Sequence, residues 1–321
     1  MRREIILLIL FMGLNYIVSG QEDIPVQTLP TEIFRTVKKD PNDTTTWKWK
    51  RGGLFNLNLA QGSLSNWAAG GDNFSLTVNS YFNYFCFFKK GKQTWDNNLD
   101  VYFGYLQTTS LGGQKNDDRF DFLSKYGFRL DTSNKIFLSG LYNFRTQFFN
   151  GFTYFSRDSS ILSSAFFSPA YMLLSAGFDY KPFNNFSLFM SPLTDRWTIM
   201  ASNRLYDKGL YGVPAYHHLI TQVGAFASMS YFQNLMKNIA YKGRMDLFTD
   251  YQNNPQNVDM FLTNLFSFKI NRYLSATYNL DMIYDDNVKL FGPNHDSPGL
   301  QLKSLFGIGM MVPFRQIAHT D

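Results

Sequence analysis

From Gly53 to the carboxy terminus the chain alternates apolar and polar residues with a period of two, and the alternating segments are joined by connections of two distinct lengths. A period of two places successive side chains on opposite faces of a β-strand. Twelve segments carry it: 53–61, 73–88, 93–107, 119–131, 135–149, 169–181, 185–196, 215–232, 238–250, 258–269, 273–285 and 299–314. KKGK (89–92), DTSNK (131–135), KPFNN (181–185), QNLMKN (233–238) and INRY (270–273) are short connections. Between them fall longer ones, rich in Gly, Asn and Pro: 62–72, 108–118, 150–168, 197–214, 251–257 and 286–298. Long and short alternate along the whole chain. Outer-membrane barrels have this asymmetry, with tight periplasmic turns and long external loops. A soluble sandwich can copy the alternation of residues but has no reason to sort its loops by length. The expected fold is all-β: a single antiparallel transmembrane β-barrel of about 12 strands, with 10 or 14 as alternatives.

Composition agrees with a wall that is apolar outside and polar inside. Aromatic residues make up 18% and charged residues 17%, yet mean hydropathy is only −0.22, because polar residues dilute the apolar ones almost one for one. In Arg119–Asp131 one phase is Phe120, Phe122, Tyr126, Phe128 and Leu130; the other holds Arg119, Asp121, Lys125, Arg129 and Asp131. A basic residue on the lipid face costs about 2–4 kcal/mol at the bilayer midplane, so the charged phase faces inward. The same reasoning assigns a lumen-charge network to Asp100, Asp121, Lys125, Arg129, Arg145, Lys242, Arg244, Asp246 and Asp281. Its two signs nearly balance. That fits either a salt-bridged, partly filled lumen or a narrow pore with opposed walls for small polar solutes. Rings of one sign, which a selective ion channel would need, are absent. A ligand-binding barrel for hydrophobic molecules would need an apolar lumen, and the charged inward phase argues against one.

The amino-terminal residues read as targeting. Arg2 and Arg3 precede an apolar run, Ile5–Met12, and the small-residue site Val18-Ser19-Gly20; residues 1–20 are expected to be a signal peptide. Residues 21–50 read as a polar periplasmic tail with Trp47 and Trp49 as interface anchors, and 51–321 as the barrel. The expected location is the outer membrane of a Gram-negative bacterium after export. Expected partners are outer-membrane lipid and lipopolysaccharide, the barrel-assembly machinery during insertion, and an envelope protein complex. The net charge of +5 is spread without a basic cluster, so nucleic acid is not expected. Cys86 is the single cysteine, without a disulfide partner or metal-ligand companion, and no cofactor or metal site is read.

Residues able to carry catalysis gather at the external rim on this topology: Asp117 and Asp118, His217 and His218, Asp285 and Asp286. Paired carboxylates beside a histidine can activate water, with His as base and Asp as its orienter, or can hold a divalent cation. Long polar loops also collect Asp and His with no further role. GxSxG, HExxH, P-loop and CxxC motifs are absent. The expected role is therefore non-enzymatic: a structural or accessory envelope component, or a narrow pore. The alternative is a rim hydrolase, protease or lipid-modifying, built on the Asp/His pairs. SNWAAGGDNF (65–74) is read as the first external connection, with Gly70 and Gly71 at the turn and Trp67 at the interface.

Taken in order, NWAAGGDN (66–73), WDNNLDVYFGY (95–105), KNDDRFDFLSKYGF (115–128), NFRTQFFNGF (143–152), SPAYMLLSAGFDYKP (168–182), SPLTDR (191–196) and IYDD (283–286) resemble a family of Bacteroidota secreted proteins labelled domain of unknown function 3078. The resemblance implies an outer-membrane-type barrel. It brings no activity or site residue with it.

Overall fold

A computed structural model describes residues 48–63, 73–133, 135–183, 185–271, 274–284, 289–291, 297–314 and 317–319. Its wall is built from β1 (Trp49–Ser63), β2 (Phe74–Lys90), β3 (Gln93–Thr108), β4 (Gly112–Arg129) and β5 (Ile136–Thr146). After a short hairpin of β6 (Gly151–Ser156) and β7 (Ser159–Ser164), the wall continues with β8 (Ala170–Tyr180), β9 (Phe186–Ile199), β10 (Leu219–Met236), β11 (Ile239–Asp250), β12 (Asp259–Lys269) and β13 (Leu274–Tyr284). Another short pair, β14 (Lys289–Phe291) and β15 (Ser297–Pro298), precedes the last long strand, β16 (Gln301–Pro313), and β17 (Ile317–His319). Helical structure among the described residues is one 3₁₀ turn, Asn203–Leu205.

Each wall strand pairs antiparallel with its neighbour, and β16 pairs back onto β1, Leu54–Leu57 against Met310–Pro313. β17 continues that seam, pairing Ile317–His319 with Trp49–Arg51. First-to-last pairing joins the ends of the sheet into an antiparallel barrel of twelve long strands, through a seam shorter than the ladders elsewhere in the wall. The tight turns follow from local chemistry. Between β2 and β3, Gly91 takes φ 57, which a residue without a Cβ adopts at least cost. Between β4 and β5, the Asp131 carboxylate accepts hydrogen bonds from the backbone N–H of Lys135 and Ile136 and from the Ser133 hydroxyl, closing the turn on itself.

Two expectations are corrected. Residues 108–118 are not a long loop: Gly112–Asp118 are ladder, paired with Phe103–Thr108 across a bulge at Asn116, and the connection shrinks to Thr109–Leu111. Polar residues there extend the strand pair beyond the apolar wall, where alternation of hydrophobicity no longer marks a strand. Trp49 and Lys50, assigned to the tail, already belong to β1. The Gly70–Gly71 turn and Trp67 lie outside the described residues, as do Trp47 and the segment assigned to the signal peptide.

The two phases sort as the charge argument requires. Tyr126, Phe128, Leu130, Ile136, Leu138 and Phe178 are exposed on the outer wall. Asp121, Lys125, Asn143, Arg145 and Asp179 are buried on the inner one. The interior is not uniformly polar, however. Leu123, Leu141, Leu173, Phe189, Phe226 and Phe248 occupy inward positions and pack on one another as a buried apolar cluster. The sequence argument had assigned the lumen to charge alone.

Candidate functional site in the lumen and at the external rim

The inward ionisable groups are paired across strands. Arg145 Nη2 on β5 lies 2.6 Å from Asp121 Oδ2 on β4, and Asn143 Nδ2 donates to the other Asp121 oxygen at 2.7 Å. Toward the short-turn end, Lys125 Nζ meets Asp179 Oδ2 at 2.6 Å; Lys181 lies 3.0 Å from the same oxygen and the Ser187 hydroxyl donates to Oδ1. Arg244 and Asp246 pair along β11 at 2.8 Å, and Ser228 of β10 donates to Asp246. Asp100 accepts from the Tyr81 hydroxyl, Asn83 and Asn98. Residual exposure is 3% for Lys125, 0% for Asp179, 3% for Asp121 and 4% for Arg145. Burying charge is costly unless a partner and further hydrogen bonds are supplied, and each of these carboxylates has both.

Of the residues read from the sequence, Asp100, Asp121, Lys125, Arg145, Arg244 and Asp246 are buried in the lumen. Arg129 continues the same phase of β4 and is half-buried near the turn. Lys242 and Asp281 stand in β11 and β13, opposite Leu265 and Thr263, and their side chains fall outside the described residues. Sequence reasoning missed Asp179, Arg196, Gln222, Asp250 and Asp259. Arg196 Nε donates to Gln222 at 2.9 Å, Gln222 reaches Asp250 at 3.2 Å, and Arg196 Nη2 lies 3.3 Å from Asp259. The Arg196 guanidinium also stands 4.0 Å over the Phe248 ring, joining this network to the apolar cluster. Asp179 sits in phase with Tyr171, Leu173 and Ser175, a signal available in the period-two pattern of 169–181.

At the external end the loops form a cap. Leu162 and Ala165, from the β6–β7 hairpin and the residues after it, pack on Met200, Leu205 and Val213 of the 200–218 connection, with Leu210, Tyr211 and Ile220 against them. Lys208 Nζ donates to the Leu162 carbonyl and the Tyr211 hydroxyl to that of Ser163. Burial pushes the Tyr211 phenol up to about 12, so it stays a donor throughout the physiological range. Lys115 fastens the hairpin to β4, reaching Asp118 at 3.1 Å, Gln147 at 2.7 Å and the Phe149 carbonyl at 2.7 Å.

The rim residues are held apart by these duties. Asp118 accepts the backbone N–H of Phe148 and Phe149 together with Lys115. Asp117 precedes it on β4, opposite Gly104. His218 Nδ1 contacts the Met200 carbonyl at 2.6 Å and its ring stacks on Tyr206, whereas His217 Nδ1 contacts the Ala215 carbonyl. Asp285 and Asp286 lie outside the described residues. Among the described residues, no group of three or more His, Cys, Asp or Glu is placed to hold a metal ion, and Cys86 is free.

Residues 59–152 match the family model described as protein of unknown function (DUF3078). That stretch runs from late β1 into β6 and includes the four sequence pieces between Asn66 and Phe152, so the DUF3078 resemblance holds there. No curated protein matches. Among solved structures, the chain is similar to the translocator domain of autotransporter NalP from Neisseria meningitidis, at 9% identity and TM-score 0.39, covering 86% of this chain and 90% of that one. It is also similar to an outer membrane channel from Pseudomonas putida F1, at 8% identity and TM-score 0.40, covering 87% and 100%. Scores this low align no residue with a role, and the barrel rests on its own strand pairing.

Proposed function

We propose that this chain is a non-enzymatic outer-membrane barrel of a Gram-negative bacterium, exported by residues 1–20, that serves as a scaffold or accessory component of an envelope assembly. The observation that carries this reading is the filled interior. Paired Lys125–Asp179, Arg145–Asp121 and Arg244–Asp246 are buried together with the Leu123–Phe226 cluster, so these inward side chains are spent on one another rather than presented to a solute. The outer wall supports the location: its exposed aromatics and aliphatics would be unfavourable in water and match a hydrocarbon neighbour. Outer-membrane lipid and lipopolysaccharide are then its surroundings, the barrel-assembly machinery its route in, and a further envelope protein its partner.

Planar-bilayer recording at several salt concentrations tests the reading. The intact chain gives no stepwise conductance; a steady conductance that scales with salt would replace the scaffold with the narrow pore. The hydrolase alternative gains no support, since Asp118 and His218 are each committed to backbone groups.

A further inference from the structure

We infer that the outer wall carries a dedicated site for one acyl chain of a membrane lipid, set into a bulge of β9. Pro192 is left out of the ladder on both sides of β9, with Ser191 against β8 and with Leu193 against β10: the register jumps between Ala176 and Phe178 on β8 and between Gly224 and Phe226 on β10. A proline has no N–H to give a ladder, and a bulge is where a sheet tolerates it. The wall opens there into a cavity of about 370 Å³, within the range of small-ligand sites. Its sides are Met190, Pro192, Ala225, Ala227, Leu247 and Val258, and its floor is Phe226 and Phe248, two members of the lumenal cluster. Glycine keeps the flanks close: a Cβ on Gly224 would fall 1.8 Å from the Thr249 carbonyl oxygen, and one on Gly177 would fall 2.1 Å from that of Met190.

The chemistry of the occupant follows from what the bulge leaves over. Its interrupted ladder frees carbonyls, and these are already taken. Ser191 Oγ donates to Ala176 at 2.9 Å and is 2.7 Å from the Leu193 carbonyl, while the Tyr251 hydroxyl donates to Pro192 at 2.8 Å. The cavity therefore offers an occupant apolar surface and little else. Met190, one of its lining residues, is exposed on the outer wall, so the cavity opens on that apolar face. A hydrocarbon chain fits that surface. A headgroup, a sugar or a charged solute would lose its hydrogen bonds to water and recover none. The inference rests on the membrane reading above, because the chain is drawn from the surrounding lipid.

The test uses the full chain in lipid nanodiscs doped with a phospholipid that carries a diazirine in its acyl chain, followed by peptide mapping of the cross-links. Labelling of Met190, Ala227 and Leu247 is expected about tenfold above outward residues such as Leu138 and Phe178, the ratio of a modest site preference. Ala227→Phe, which fills the cavity, abolishes the excess; Ala176→Phe, exposed on β8 beside the bulge, leaves it. Both variants are checked for the folded, heat-modifiable band first. Uniform labelling of the outer wall, or an excess that survives Ala227→Phe, overturns the site while leaving the membrane reading intact. Absence of labelling from the whole wall overturns both. A disulfide-linked dimer of the Ala227→Cys variant, made in a Cys86→Ser background and mildly oxidised in the same nanodiscs, would show that a second copy occupies the bulge and also overturns the proposal.

Discussion

The lumen and the long-loop end are each held together, by different means. In the lumen, charges from distant strands are buried against one another: Lys125 and Asp179 are separated by 54 positions and meet at 2.6 Å. In the external cap, two connections hold each other through a small apolar core and hydrogen bonds to main-chain carbonyls, as Lys208 and Tyr211 make to Leu162 and Ser163. The lumen contacts exist only once neighbouring and next-but-one strands of the wall are in register. The cap needs only its two loops and the strand ends below. A defect in the first should reach the whole barrel, and a defect in the second should stay local.

Removing the Asp179 carboxylate is the strongest way to break that contrast. Asp179→Ala takes the ion-pair partner from the buried Lys125, with the half-buried Lys181 beside it and only Asp96 left nearby, for an expected loss of about 3–5 kcal/mol. Denaturant unfolding in micelles, followed by tryptophan fluorescence, should show it as a global shift of the midpoint. Leu205→Ala hollows the cap core and should destabilise it by about 2–5 kcal/mol. Here the contrast predicts faster proteolytic nicking between residues 203 and 216 with an unchanged barrel midpoint; a shift of that midpoint would make cap and lumen one cooperative unit. Lys115→Met deletes the ammonium that ties the hairpin to β4 and takes a partner from the buried Asp118 carboxylate and the part-buried Gln147 amide, worth about 1–3 kcal/mol. Amide exchange should quicken in β6 and β7 and remain slow in β8.

The smallest effect concerns neither region and serves as a control. Hydrogen bonds from the Ser133 hydroxyl and from the Ile136 and Lys135 N–H groups hold the exposed Asp131 carboxyl at about 2, below its ordinary 3.8. A depressed carboxyl contributes in full above its ordinary value and loses that contribution as pH falls through the folded one. Amide exchange at Ile136 should therefore rise between pH 4 and pH 2, and Asp131→Asn should flatten the change.

Strand existence and phase were legible because one residue in two must satisfy a different solvent. Arg119–Asp131 and Ile136–Phe149 announce their faces, and the inward residues read from them are buried. Pairing was not legible: Asp179 belongs to Lys125 because β8 lies beside β5, with the 150–168 connection displaced as a cap, and no local pattern states that. The apolar cluster was missed for a related reason. Leu123 lies between Asp121 and Lys125, and its charged neighbours set the reading of the face, although a narrow interior also has volume to fill. Gly112–Asp118 were mistaken for loop because both faces of a strand that has left the apolar wall are polar. At the rim, Asp118 looked reactive in sequence, where its backbone partners at Phe148 and Phe149, 30 and 31 positions away, are invisible.

Strand lengths have a practical consequence. β5, β8, β12 and β13 are 11 residues each, close to the ~9–11 that a tilted strand needs to cross a bilayer. β4 has 18, so some seven residues beyond β5's length are left over, and the tight turns fix its other end. The surplus continues the ladder, with Tyr105–Thr108 of β3 paired both to β4 and to Ser75–Val78 of β2, and β2 in turn to β1, so that four strands run past the crossing length with Thr109–Leu111 at the tip of the last turn. On the proposed membrane placement, an epitope inserted at Thr109–Leu111 would be displayed on intact cells, just beyond the Tyr154–Gly113 contact that joins this turn to the β6–β7 hairpin, and would give antibodies a handle on the protein without touching its interior.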